Sequence, residues 1–226
     1  MPSVSEILVG AAASAVSSLR RFGRRVKRSR RSAARSKPDA GKWTAELLRQ
    51  LEWRRFEELC KAYFETLGFS THMVRSGVEG SADIHLCSEG SEHASMIAQC
   101  KTWSAYRIGI NPVRALRAAM AAAGAGKGAL VTPSRFTQEA IAFAGGENIL
   151  LIDGARLLGE LAALSPEKAL ALLGVATQGD FRTPTCPSCS IKMISSQSAS
   201  GGRKFWGCRN YPHCKQIFIE TANAPA

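Results

Sequence analysis

A carboxylate at Asp83 and the triplet Gln99-Cys-Lys101 are residues whose types and spacing can do chemistry together. In an extended strand alternate side chains share a face, so Gln99 and Lys101 project together and Cys100 points away. If the chain returns through a turn centred near Ser91, Asp83 falls directly opposite Gln99. Directly opposed side chains sit about 5 Å apart, and the diagonal neighbour Lys101 about 7–8 Å away. One carboxylate, one amide oxygen and one ammonium then converge. Such a set can hold a divalent ion, most simply Mg2+, on Asp83 and the Gln99 oxygen. The ion would polarise a phosphodiester and acidify its water, while Lys101 positions that water or offsets charge building on phosphorus. Spacing alone leaves the alternative open, because an acid followed by Gln-X-Lys also fits a solvated strand face.

A second constellation lies at the C-terminus. Cys186-Pro-Ser-Cys189 and Cys208-Arg-Asn-Tyr-Pro-His-Cys214 form two knuckles that present four thiolates to one tetrahedral Zn2+. The segment between them is long enough for a hairpin with Gly201-Gly202 at its tip. So small a module has almost no core, so the metal must supply folding energy, and loss of one ligand should unfold residues 182–220 alone. Lys192, Arg203, Lys204, Arg209 and Lys215 interleave with Phe205 and Tyr211. Cations suit phosphates and rings suit bases, so these residues are candidate DNA contacts. The aromatics also fit the module's own small core, with Trp206 the first candidate. The other cysteines, Cys60, Cys87 and Cys100, are scattered through segments that read as helix and strand. An odd total of seven indicates a reduced compartment and a metal site, not a disulfide scaffold.

The elements that must position these groups follow from periodicity. Thr44 caps a helix before Leu47, Leu48 and Leu51, and Phe56, Leu59, Cys60, Tyr63, Phe64 and Leu67 continue at helical spacing to Gly68. Strands are expected over 69–75, 83–88 and 95–101. Asn111-Pro112 marks a helix start, and that helix runs to Gly124. Strands at 129–132 and 149–152 alternate with helices at 137–144 and 154–164, and a last helix, capped by Ser165, ends at Gly174. Meandering strands followed by crossover units imply an α/β fold, a mixed β-sheet flanked by helices. The expected domains are a basic arm at 1–40, a main domain at 41–174, a linker at 175–184 and the cysteine module at 185–220.

Composition sets the outer limits. The 226 residues are 45% apolar and 21% charged, which excludes global disorder. They suffice for one ordinary domain and a small module, not for two large domains. No apolar run is long enough to span a bilayer. The net charge of +12 is uneven: residues 1–38 hold ten Arg or Lys and one acid. That arm reads as a solvated, self-repelling tail or nucleic-acid tether. An amphipathic membrane-surface anchor and a cleaved organellar leader stay open as alternatives.

The C-terminal module resembles the C4 zinc ribbons of bacterial type IA DNA topoisomerases, through Cys186-Pro-Ser-Cys189 and the run from Phe205 to Cys214. It departs at Ser190, where that family usually has Gly. The resemblance implies DNA binding, mainly to single strands. Residues 53–161 resemble the Mrr-type restriction endonuclease domain of the PD-(D/E)XK superfamily. The match runs through Trp53-Arg-Arg-Phe-Glu-Glu-Leu, Leu67-Gly-Phe and Glu79-Gly-Ser-Ala-Asp83. It continues through Gln99-Cys-Lys101, Val131-Thr-Pro-Ser-Arg-Phe-Thr137 and Ile149-Leu-Leu-Ile-Asp153. The resemblance implies an αβββαβ core, a metal carboxylate at Asp83, Gln99 in the place of an acid, a catalytic Lys101 and a supporting helix glutamate at Glu57. Glu79 and Ser81-Ala82 depart from the family's usual Asp and Gly-Val. The implied function is a Mg2+-dependent, cytoplasmic, nucleoid-associated DNA endonuclease acting in restriction of foreign or modified DNA. An inactive nuclease-fold DNA-binding protein and a repair or junction nuclease are the alternatives. A double-strand cut normally needs two active sites, which leaves a homodimer open.

Overall fold

The structure is a computed structural model that describes residues 42–75, 82–88, 94–102, 107–198 and 204–219. The basic arm, the Glu79 loop, Arg203 and the Gly201-Gly202 tip lie outside these residues.

Thr44 starts α1 (Ala45–Gln50), its hydroxyl accepting from the Leu47 N–H. The apolar spacing then suggests one continuous helix, but the chain breaks at Leu51 and Glu52, both extended. A new helix, α2 (Trp53–Thr66), begins with Glu52 as its cap. The break has a cause: the Glu52 N–H leaves the helical ladder and donates to Phe181 O at 2.9 Å. Gly68 closes α2 at φ +92°, in the left-handed region that only glycine enters without strain.

Five strands follow: β1 (Ser70–Arg75), β2 (Ala82–Cys87), β3 (Ala94–Cys100), β4 (Lys127–Val131) and β5 (Ile149–Ile152). They form one sheet in the order β1-β2-β3-β4-β5. The first three pair antiparallel, and β3-β4-β5 are parallel. Parallel pairing needs crossovers, supplied by α3 (Ile110–Ala123) and α4 (Gln138–Gly145). This is the mixed, helix-flanked sheet that the order of elements implied. Two further helices, α5 (Gly154–Ala163) and α6 (Pro166–Thr177), complete the unit.

Alternation divides the core between the two faces. Ile97, Leu130 and Ile149 point to α3 and α4, where they bury Val113, Leu116, Met120, Ala140 and Ala144. The opposite face receives α2, whose Phe56, Leu59, Tyr63 and Phe64 are all almost fully buried. Each such side chain contributes roughly 1.5–3 kcal/mol relative to exposure.

Two expected boundaries move. The α3 helix starts at Ile110 with Gly109 as its cap, so Asn111 does not cap it. Ile108 is drawn into a parallel bridge with Phe136, which fixes the chain one step earlier. Pro112 still falls in the first turn, where its missing N–H is not needed. Helix α6 runs past Gly174 to Thr177. Its Thr177 hydroxyl donates to Leu173 O, and Arg55 of α2 donates to Val175 O and Gln178 O, holding the last turn in place.

The C-terminal module is a three-stranded antiparallel sheet, β6 (Ile194–Gln197), β7 (Lys204–Gly207) and β8 (Ile217–Ile219). The third strand was not evident in the sequence, because three residues are too few to show alternation. Trp206 and Phe218 pack on Cys186, Met193 and Cys208, as expected for Trp206.

Candidate functional site

The β2–β3 register places Asp83 opposite Gln99, as the turn symmetry predicted. Alternation turns both toward the α3–α4 face, at the end of β3. Both are 8% exposed, and Gln99 Nε2 donates to Asp83 Oδ1 at 2.6 Å. The Gln99 amide oxygen is buried and has no hydrogen-bond partner among the described residues. A buried carbonyl oxygen left unsatisfied costs about 1–3 kcal/mol. A hard cation beside the carboxylate would satisfy it, so a divalent metal fits this donor set on the structure's own chemistry.

Lys101 is the first residue beyond β3, and its N–H donates to Val131 O at 2.9 Å. It is half-buried. Glu57, 2% exposed, comes from α2 on the other face. Glu57 and Lys101 are both electrostatic neighbours of the Cys100 thiol, so they approach the same end of β3. That thiol is held well above its usual range, first by a hydrogen bond with Cys60 and then by burial. Cys60 and Cys100 thus stitch α2 to β3 beneath the Asp83–Gln99 pair.

One neighbour was missed in the sequence. Thr132 follows β4 beside Lys101, is 1% exposed and accepts from the Ser134 N–H. The Val131-Thr-Pro-Ser run after a short apolar strand was the available signal.

In the cysteine module, the sulfurs of Cys186, Cys189, Cys208 and Cys214 all lie within 4.8 Å of one another. Cys186 Sγ and Cys214 Sγ are 3.7 Å apart. With Zn–S near 2.3 Å, a tetrahedron has S···S edges of roughly 3.8 Å, so zinc fits. The Asn210 N–H and side-chain amide point at Cys208 Sγ and Cys189 Sγ, at 3.4 and 3.7 Å. Such N–H···S donors stabilise thiolates and orient the ligands. Burial pushes the Cys208 thiol up to about 12, whereas the Gln216 backbone N–H holds Cys214 below its usual value. Ser190 closes the first knuckle at φ +55°, the conformation that a glycine would adopt freely.

Among the candidate DNA contacts, Lys204, Arg209, Tyr211 and Lys215 are exposed and Phe205 is half-buried. Lys192 is different. Its ammonium donates to Thr183 O at 2.8 Å and to Glu52 Oε1 at 3.2 Å. Those contacts tie it to a joint with α2, while its side chain stays about a third exposed.

The joint centres on Glu52, whose side chain is 3% exposed. It accepts from Arg54 N at 3.1 Å, Thr185 Oγ1 at 3.0 Å and Thr185 N at 3.3 Å, besides Lys192. Beside it, Trp53 Nε1 donates to Thr185 O at 2.7 Å. Thr185 immediately precedes the first zinc-ligand cysteine, so the knuckle hangs directly from the start of α2.

A family model described as a restriction endonuclease, of the Mrr catalytic type, matches residues 48–161, half of the chain. A second, described as a topoisomerase DNA binding C4 zinc finger, matches residues 183–220. Two similar solved structures are those of the DNA modification-dependent restriction endonuclease AspBHI and of the MspJI restriction endonuclease in complex with a 27-mer oligonucleotide. The first is 21% identical with a TM-score of 0.45, over 67% of this chain and 45% of that chain. The second is 17% identical with a TM-score of 0.40, over 72% of this chain and 43% of that chain. This chain therefore spans less than half the length of either. No curated protein sequence matches it.

Proposed function

Because the chain belongs to the Mrr-type restriction endonuclease family, we propose that it is a metal-dependent DNA endonuclease acting in restriction of foreign or modified DNA. The observation that carries this reading is the Asp83–Gln99 pair, buried, directly hydrogen-bonded and ending in an amide oxygen with no partner among the described residues. Asp83 and Gln99 would hold the metal, with Glu57 supporting from α2. When bound, a divalent ion such as Mg2+ supplies Lewis-acid polarisation of the scissile phosphate. Lys101, one residue past β3, presents its ammonium to the phosphate oxygens and helps orient the attacking water. The hydrogen bond from Gln99 fixes the Asp83 carboxylate in one rotamer, so the site is preorganised.

The ribbon, with Lys204, Phe205, Arg209, Tyr211 and Lys215, and with Arg203 and the basic arm outside the described residues, serves as the DNA handle. Among the described residues no helix is long and apolar enough to cross a membrane. The competing reading, an inactive nuclease-fold DNA-binding protein, has no use for a buried carboxylate paired with an amide beside a lysine.

The test is incubation of the protein with modified and unmodified supercoiled plasmid, with Mg2+ or with a chelator. Nicking or linearisation that the chelator abolishes is expected. DNA binding without cleavage of any plasmid would transfer the case to the binding-protein reading.

A further inference from the structure

A cleft of about 810 Å³ opens beside the proposed active site, rimmed by Arg49, Arg107 and Arg135 and floored by Leu48, Pro133 and Leu158. Among the described residues no acidic one lines it. The parallel register aligns Cys100, Val131 and Ile152, so Lys101, Thr132 and Asp153 leave the sheet along one edge. The cleft is built from the loops that follow β4 and β5 at that edge. Crevices at the carboxyl ends of parallel strands are where open α/β sheets bind ligands.

The backbone explains why the arginines converge. Ile108 and Phe136 form a parallel bridge and are both buried in the core. Their chain neighbours Arg107 and Arg135 are therefore both turned outward, side by side. Ile108 N donates to Arg135 O at 2.7 Å and locks that arrangement. Among the described residues neither Arg107 nor Arg135 forms an ion pair, whereas Arg49 pairs with Glu46 at 3.0 Å. Among the described residues no carboxylate pairs with either guanidinium group, which leaves both available to an anion in the cleft.

The far wall is the start of α5. Gly154 N donates to Ser134 O at 3.1 Å, and a Cβ at Gly154 would stand 2.4 Å from Pro133 O. Only glycine allows this close approach, which brings the first turn of α5 to the cleft. The Asp153 carboxylate there is engaged by the Arg156 N–H at 2.9 Å.

We propose that this cleft is a phosphate subsite with room for a nucleotide unit, with the phosphate held by Arg107 and Arg135 and the nucleoside against Leu48, Pro133 and Leu158. Guanidinium groups suit this role because they bind phosphate oxygens through two parallel N–H donors. The ligand is a phosphate ester of a nucleoside, supplied by a residue of a DNA strand or by a free nucleotide.

The experiment measures equilibrium binding to the zinc-loaded full chain of a labelled DNA duplex and, separately, of thymidine monophosphate and ATP. The variants are Arg107→Ala, Arg135→Ala, their double and Arg107→Lys. Arg117→Ala removes the same charge from an exposed helix position away from the cleft and serves as the control. Each cleft alanine is expected to weaken binding about tenfold, the loss of one charge-assisted contact. In the DNA arm the double variant should also lower the salt slope by roughly 2. Lysine at 107 should restore most of the slope. Loss confined to the DNA arm identifies a strand as the source, and loss confined to the nucleotide arm identifies a free nucleotide. The proposal is overturned if neither ligand distinguishes the cleft variants from Arg117→Ala. None of these readouts needs cleavage, so failure of the endonuclease reading leaves the result interpretable.

Discussion

Glu52→Ala should loosen the start of α2 and release the zinc module from it. The side chain is almost fully buried and serves four donors. Its loss removes the cap of α2, worth about 1 kcal/mol. It also leaves the N–H and hydroxyl of Thr185, a residue only 4% exposed, without their acceptor. Buried donors stranded in this way cost about 1–3 kcal/mol. Lys192 is about a third exposed and regains water, so its ion pair adds little. The total is about 2–4 kcal/mol. Glu52→Gln keeps an acceptor oxygen and should cost only about 1 kcal/mol. Urea unfolding of the zinc-loaded variants measures the totals. Hydrogen exchange locates the effect, with faster exchange expected at residues 53–56 and 182–193 together. An Ala variant within about 0.5 kcal/mol of the parent, with unchanged exchange at both sites, would refute the reasoning.

Metal analysis of the purified protein should give one zinc per chain. Cys186→Ser or Cys208→Ser should abolish it, and through Trp53 and Glu52 should also raise exchange in the first turn of α2. Ser190→Gly relieves a left-handed residue and should stabilise the zinc module by about 1 kcal/mol, read as a higher chelator concentration for half-unfolding. Gly154→Ala forces a methyl against the Pro133 carbonyl and should lower stability by about 1–3 kcal/mol in thermal melts.

The Asp83–Gln99 pairing was legible because a hairpin's register and strand alternation are local rules, and Ser91 stands midway between the two residues. The helices ending at Gly68 and Gly124 were legible because glycine marks a left-handed cap. The joint was not. Nothing in the spacing of residues 52, 185 and 192 indicates that one carboxylate meets a threonine and a lysine more than 130 positions away. For the same reason the contacts of Lys192 and Thr185 with the start of α2 left no trace in the sequence. The interruption at Leu51–Glu52 was hidden because apolar spacing carries on through it. An acid directly before Trp53 was the trace of a cap. Asn111 misled because a stronger constraint, the bridge at Ile108, set the start of α3. The arginine cleft was invisible because its three cations come from separate segments of the chain.

The central claim is that Asp83 and Lys101 do the chemistry while other parts of the chain hold the DNA. Plasmid cleavage with Mg2+, run beside a DNA-binding assay on the same preparations of Asp83→Ala and Lys101→Ala, tests it most directly. Asp83→Ala should lose cleavage entirely, and Lys101→Ala should lose on the order of a hundredfold in rate. Both should bind DNA as the parent does. Parental cleavage rates in both variants would contradict the account and place the active site elsewhere.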